Sequence, residues 1–137
     1  METTDRRWPL RSVIAGGLYF AAGMVFGALA GAASSNQPRV GWRLAAWVFS
    51  GAVFVAHIWY ESFRLGKPPG SAAVHVALGA AIAAFGLAAA ATIHALATGH
   101  YRAAYLFSLV AWPAITAVPA FLVALGAGAM AGRLSRR

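Results

Sequence analysis

A chain of 137 residues that is 61% hydrophobic and only 10% charged lies outside the composition of soluble domains, which carry about 25% charged residues. Its formal charge is +8, but the basic residues stand between and beyond apolar segments, where they meet lipid headgroups rather than nucleic acid. The length allows one domain, and the lack of cysteine excludes disulfides and thiolate metal sites.

Four apolar segments follow the polar start of the chain, each with the roughly 20 residues that a helix needs to cross a bilayer. We expect one transmembrane domain over residues 1–137, with helices at about 10–33, 42–65, 71–97 and 103–132. Turn-forming residues at 34–41 and prolines after residue 67 separate the first three segments. The sequence therefore predicts an all-α polytopic membrane protein, an antiparallel bundle of four transmembrane helices.

The first segment carries a ridge of small residues, because Gly23, Gly27 and Gly31 recur at every fourth position. Such a ridge lets another helix approach closely, which is a main source of helix association in lipid. The ridge is expected either to pack inside the bundle or to form the seam of a homo-oligomer.

The second segment carries a polar stripe on an apolar helix. Arg43, Ser50, His57 and Arg64 are spaced by seven residues, and Glu61 follows His57 by four. A step of seven returns to nearly the same direction on an α-helix, about 20° off. Because polar groups are costly in hydrocarbon, we expect the stripe to face other helices.

The third segment is rich in alanine, and one of its faces combines a histidine with small residues. His75, Gly79, Ile82 and Gly86 share this face. We expect it to form a groove that receives a neighbouring helix.

The distribution of basic residues predicts the topology. One side holds eight of them, namely Arg6, Arg7, Arg11, Arg64, Lys67, Arg133, Arg136 and Arg137, and the other side holds Arg39, Arg43 and Arg102. Since loops rich in Lys and Arg stay in the cytoplasm, both termini are expected there, in a bacterial inner membrane.

With this topology, His57, Glu61 and His75 gather in the cytoplasmic half of the bundle, and three hypotheses compete for them. In the first, they are structural, with Glu61 paired to Arg64 or Lys67 and the histidines bonded to neighbouring helices. In the second, they bind a divalent metal or relay protons, since imidazole and carboxylate suit such roles. In the third, the two histidines hold a haem.

No pattern in the chain indicates an enzyme, since it has no nucleophile–base pair, phosphate loop or protease motif. We expect a structural, accessory or self-associating membrane subunit, in an oligomer or a larger complex, with no cofactor as the favoured case. The alternatives are an oligomeric transporter or channel for protons, metal ions or small cations, and a haem- or metal-binding membrane protein. Arg43 and Arg64 are expected to reach lipid headgroups at the two ends of the stripe.

Overall fold

The computed structural model describes residues 7–134, which form four long helices. They are α1 (Trp8–Ala32), α2 (Asn36–Trp59), α3 (Pro69–Ala97) and α4 (Ala104–Leu134), and α2 continues into a π-helix, Tyr60–Arg64. By length and composition, all four are able to cross a membrane. The prediction of an all-helical chain with four potential membrane spans is confirmed.

The second helix begins earlier than the sequence indicates. It starts at Asn36 rather than near Trp42, so the turn-rich segment at 34–41 is mostly helical. Pro38 does not prevent this, because the first N–H groups of a helix have no acceptor within the helix and a proline there loses nothing.

The connection between α1 and α2 is held by a side chain of α2. Arg39 donates from Nε to the carbonyl of Ala30 at 3.4 Å and from a terminal nitrogen to the carbonyl of Ala33 at 3.2 Å. These carbonyls belong to the end of α1, where the helix leaves its last acceptors unpaired. The arginine therefore caps the preceding helix.

A π-helical turn ends the second helical segment. The backbone N–H of Leu65 donates to the carbonyl of Tyr60 at 3.1 Å, five residues back, which is the π pattern. Gly66 then adopts φ +58°, a conformation that favours glycine, and Pro68 precedes α3. Sequence periodicity predicted the end of this segment but not its wider last turn.

The alanine-rich α3 is the central helix and packs against both α1 and α4. The face of α1 that meets it repeats every three or four residues and is made mainly of small side chains: Ser12, Ala15, Gly16, Tyr19 and Ala22. The approach is close, since a Cβ on Gly16 would lie 2.9 Å from the carbonyl oxygen of Gly79. Small residues allow this contact between the two backbones.

Contacts between α3 and α4 run along both helices. Pro69, at the start of α3, lies beside Gly128, late in α4. Near the other end of α3, the Thr92 hydroxyl lies 3.4 Å from the carbonyl of Tyr105, at the start of α4.

The end of the molecule that contains Arg7, Arg11, Arg64, Lys67 and Arg133 is called the basic end here, and the end with Arg39, Arg43 and Arg102 the opposite end. The remaining basic residues of the topology count, Arg6, Arg136 and Arg137, lie outside the described residues.

Adjacent glycines of α1 provide a test of this packing. Gly16→Ala should lower the stability of the detergent-solubilised protein by about 1–3 kcal/mol, because the new methyl group forces α1 and α3 apart. Gly17→Ala is the matched control, since nothing lies within 4 Å of its Cβ position. It should leave stability unchanged or raise it by up to about 1 kcal/mol through better helix propensity. Thermal unfolding of both variants measures this, and equal midpoints would contradict the packing.

Candidate functional site

A buried carboxylate joins three helical elements at the basic end. Glu61, in the π-helical turn, is 0% exposed. Arg11 of α1 donates from Nε to its Oε1 at 3.2 Å, and His75 of α3 donates from Nδ1 to its Oε2 at 2.7 Å. Hydrogen bonds to a charged group are about twice as strong as neutral ones. The pairs therefore fasten α1, the π-helix and α3 to one another.

Other residues of α1 fix the position of His75. Ser12 donates from its hydroxyl to the backbone carbonyl of His75 at 3.1 Å. The indole of Trp8 stacks on the imidazole with 4.9 Å between ring centroids and 6° between planes. The histidine is thus held at its ring nitrogen, its ring face and its backbone.

His57 lies one helical turn before Glu61 and takes no part in these hydrogen bonds. It is buried, and neither ring nitrogen has a hydrogen-bond partner among residues 7–134. A Cβ on Gly79 would lie only 3.4 Å from its Cε1 atom, so the missing side chain makes room for the imidazole. In this position the ring fills space between α2 and α3.

The polar stripe of α2 is only partly turned inward. His57 and Glu61 are buried, whereas Arg43 and Arg64 are exposed and Ser50 is half-buried. The pairing predicted for Glu61 within its own segment is replaced by pairing with Arg11 of α1. The stripe is therefore a structural seam near the basic end and a surface elsewhere.

The three residues proposed from sequence are not arranged around a common point. Across residues 7–134, no group of three or more His, Cys, Asp or Glu side chains is placed to hold a metal ion. Both carboxylate oxygens of Glu61 and the Nδ1 of His75 already take part in hydrogen bonds with each other or with Arg11. This geometry gives no support to a metal site built from the three residues together, and the haem hypothesis stays a prediction.

Sequence reasoning missed Arg11 and Trp8. The available signal was topological, because the start of the first predicted span and the end of the second are expected at the same end of an antiparallel bundle. An acidic residue within a span requires a cation at the same depth, and Arg11 is one helical turn inside α1. Trp8 carries no comparable signal, since a tryptophan at a helix start is also typical of a membrane interface.

A cavity of about 960 Å³ separates α2 from α4. Its floor is the small-residue face of α3, including Ala80, Ala84 and Ala88, and its polar wall residues include Ser50 and Arg102. Near the basic end α2 and α4 meet in an apolar cluster of Ile58, Ala73, Val76 and Ala124. The cavity therefore lies beyond this cluster and extends towards the opposite end.

Tyr19 stands in the wall where α1 reaches the cavity. Its phenol oxygen is buried and has no hydrogen-bond partner among the described residues. Buried polar atoms are nearly always paired, so this hydroxyl is an exception within the described part of the bundle.

The five glycines assigned to helix packing have different surroundings. A Cβ on Gly23 would lie 2.8 Å from Leu87, and one on Gly86 would lie 2.8 Å from the ring of Phe20. Gly79 faces Ser12, Ala15 and His57. Gly27 and Gly31 have nothing within 4 Å of their Cβ positions and line a smaller groove between α1 and α2. The ridge of α1 therefore packs within the chain only at its start.

No protein-family model matches the chain, and searches of curated proteins and of solved structures find no match either. The buried network and the cavity of this chain therefore carry the functional argument.

The ion pairs can be tested by removing the charge of Glu61. Glu61→Gln removes the buried carboxylate that accepts hydrogen bonds from Arg11 and His75, and breaking a buried charge pair costs about 3 kcal/mol or more. The thermal midpoint in detergent should fall accordingly. Arg64→Gln is the control, since it removes an exposed charge from the same π-helical turn. The double variant Arg11→Met with Glu61→Leu removes both charges and should recover most of the loss. A midpoint for Glu61→Gln equal to that of the control would contradict the structural role.

Proposed function

We propose that this chain is a non-catalytic accessory subunit of the inner membrane, an antiparallel four-helix bundle that holds a membrane-soluble molecule between α2 and α4. The observation that carries the proposal is the cavity of about 960 Å³ between these helices. The ion pairs at the basic end keep the bundle together, and the cavity provides the binding site.

The walls of the cavity suit an apolar occupant. Its volume is at the upper end of the range for ligand pockets, about 300–1,000 Å³, and such pockets combine apolar walls with a few polar groups. Two hydroxyls in the wall are already used by their own helix. Ser108 donates to the carbonyl of Tyr105 at 2.6 Å, and Thr116 donates to that of Trp112 at 2.7 Å. The surface offered to a ligand is therefore mainly alanine and aromatic carbon.

The cavity is also accessible from the side of the bundle. Trp47 on α2 is 79% exposed and Trp112 on α4 is 56% exposed, and both line the cavity. The only buried residues of α2, Asn36–Trp59, are His57 and Ile58, and most of this helix stands away from α4. For a bundle within a membrane, the surroundings of this gap are hydrocarbon, and a molecule dissolved in the bilayer can enter it.

Conduction of protons, metal ions or small cations is the weaker proposal. Glu61 is fully enclosed and paired with Arg11 and His75, so the acidic group that a cation pathway needs is already neutralised. Arg43, at the far end of the stripe, adds a positive charge that would repel cations.

The proposed orientation follows from the basic end. Among the described residues it holds Arg7, Arg11, Arg64, Lys67 and Arg133, against three basic residues at the opposite end, which favours a cytoplasmic basic end. The chain has no native cysteine, so a single introduced thiol reports its side without background. Ser34→Cys, in the exposed connection between α1 and α2, should react in intact cells with a membrane-impermeant maleimide. Labelling only after the cells are broken would reverse the proposed orientation.

Filling the cavity tests the binding function. Gly51 lines the cavity, and nothing lies within 4 Å of its Cβ position, so Gly51→Leu adds a side chain there without a clash at its Cβ. Gly17→Leu is the matched control, because Gly17 is an equally open helical glycine outside the cavity. Purified protein should retain a bound molecule after gel filtration, as detected by organic extraction and mass spectrometry. Gly51→Leu should lose it, and Gly17→Leu should keep it.

Two results would overturn the binding function. One is wild-type protein that retains no molecule in stoichiometric amount when purified in a mild detergent. The other is equal retention by the Gly51→Leu and Gly17→Leu variants, which would place the bound molecule on the outer surface of the bundle.

A further inference from the structure

The charges of this chain are strongly unequal between the two ends of the bundle. The sequence has three acidic residues, Glu2, Asp5 and Glu61, and each belongs either to the N-terminal segment or to the network at the basic end. The opposite end carries Arg39, Arg43 and Arg102 without an acidic residue in the neighbouring sequence. Glu61 is the only acidic residue between residues 7 and 134, and it lies at the basic end, so these cations have no counter-charge among the described residues.

One of these cations belongs to the cavity. Arg102 precedes α4 and lines the cavity together with Ala104 and Tyr105. Its side chain is exposed and makes no hydrogen bond or ion pair with any residue between 7 and 134. Arg39, in contrast, caps α1, and Arg43 lines the smaller groove between α1 and α2, which shares Gly23 and Trp47 with the cavity. Arg102 is thus the cation that a molecule in the cavity can reach.

The shape of the cavity is that of a site for an extended apolar chain. Along α4 its lining runs from Ala104 to Ala120, which corresponds to about 24 Å at 1.5 Å per residue. The tails of one leaflet span about 15 Å, half of a hydrocarbon core of about 30 Å. A lipid tail therefore fits lengthwise, with the end nearest Arg102 at the level of the headgroups.

We infer that the occupant of the cavity is an anionic membrane lipid, with a tail between α2 and α4 and its acidic headgroup paired with Arg102. This inference rests on the proposed binding function and adds the chemical class of the ligand. A guanidinium pairs well with phosphate and carboxylate oxygens. Since no side chain of the bundle supplies these oxygens at the opposite end, the surrounding bilayer is the source that complements the charge.

Preferential quenching of tryptophan fluorescence tests the inference. Bromine atoms on lipid tails quench nearby indoles, and Trp47 and Trp112 both line the cavity. The full-length protein is reconstituted in phosphatidylcholine vesicles with a minority of phosphatidylglycerol, and the brominated tails are placed on one lipid or the other. Brominated phosphatidylglycerol should quench the tryptophan fluorescence more strongly than its fraction of the lipids in the bilayer predicts. Arg102→Gln should reduce this preference about fivefold, the effect of one basic group on an anionic lipid.

Control variants separate this inference from the binding function. Arg43→Gln removes a cation from the same end but outside the cavity and should keep the preference. Equal quenching by the two brominated lipids in the wild type would overturn the inference. So would a preference that survives Arg102→Gln or that falls equally in Arg43→Gln.

Retention of the bound molecule by the Gly51→Leu variant distinguishes a failure of the lipid inference from a failure of the binding function. If the bound molecule is lost from Gly51→Leu but is neutral, zwitterionic or a second polypeptide, the binding function stands and the anionic lipid is excluded. If Gly51→Leu retains the molecule, both proposals fail.

Discussion

The structure depends on one carboxylate that has to be neutralised away from water. Glu61 lies in a helix long and apolar enough to span a membrane, where a charge is stable only with partners. It obtains them from α1 and α3 through Arg11 and His75. Because these partners come from different helices, Glu61 can be buried only where α1, the π-helix and α3 meet. This requirement brings the three elements together at the basic end.

The same constraint explains why the bundle is not uniformly packed. Near the network, α2, α3 and α4 meet in the cluster around Val76, which is fully buried. Beyond it, the residues of α3 that line the cavity are alanines and one leucine, Leu87. Such side chains bring α1 and α4 close to α3, but they do not reach across to α2. The cavity is the space between α2 and α4 that these small side chains of α3 do not fill.

Sequence periodicity was sufficient for the four helices, because long apolar segments separated by prolines and turn residues have few other structures. It also selected Glu61 and His75, which lie in direct contact. It could not select Arg11, because a cation at a helix start is equally suited to headgroups, and only the assembled bundle shows which partner it takes. The π-helical turn and the cavity depend on packing between helices that are distant in sequence, and no local pattern encodes them.

The two ends of the bundle satisfy their charges in different ways. At the basic end, Glu61 provides the counter-charge from within, and the helices are drawn together around it. At the opposite end the arginines have no acidic residue nearby in the sequence, and among residues 7–134 only the Arg39 side chain finds acceptors, in the carbonyls that end α1. Arg102, which is exposed beside the cavity, is therefore accessible to an anion from outside the chain, and this is the pairing that we propose for a lipid headgroup. A bundle that is closed by hydrogen bonds to Glu61 at one end, and that carries an exposed arginine beside a cavity at the other, is suited to the lipid binding that we propose.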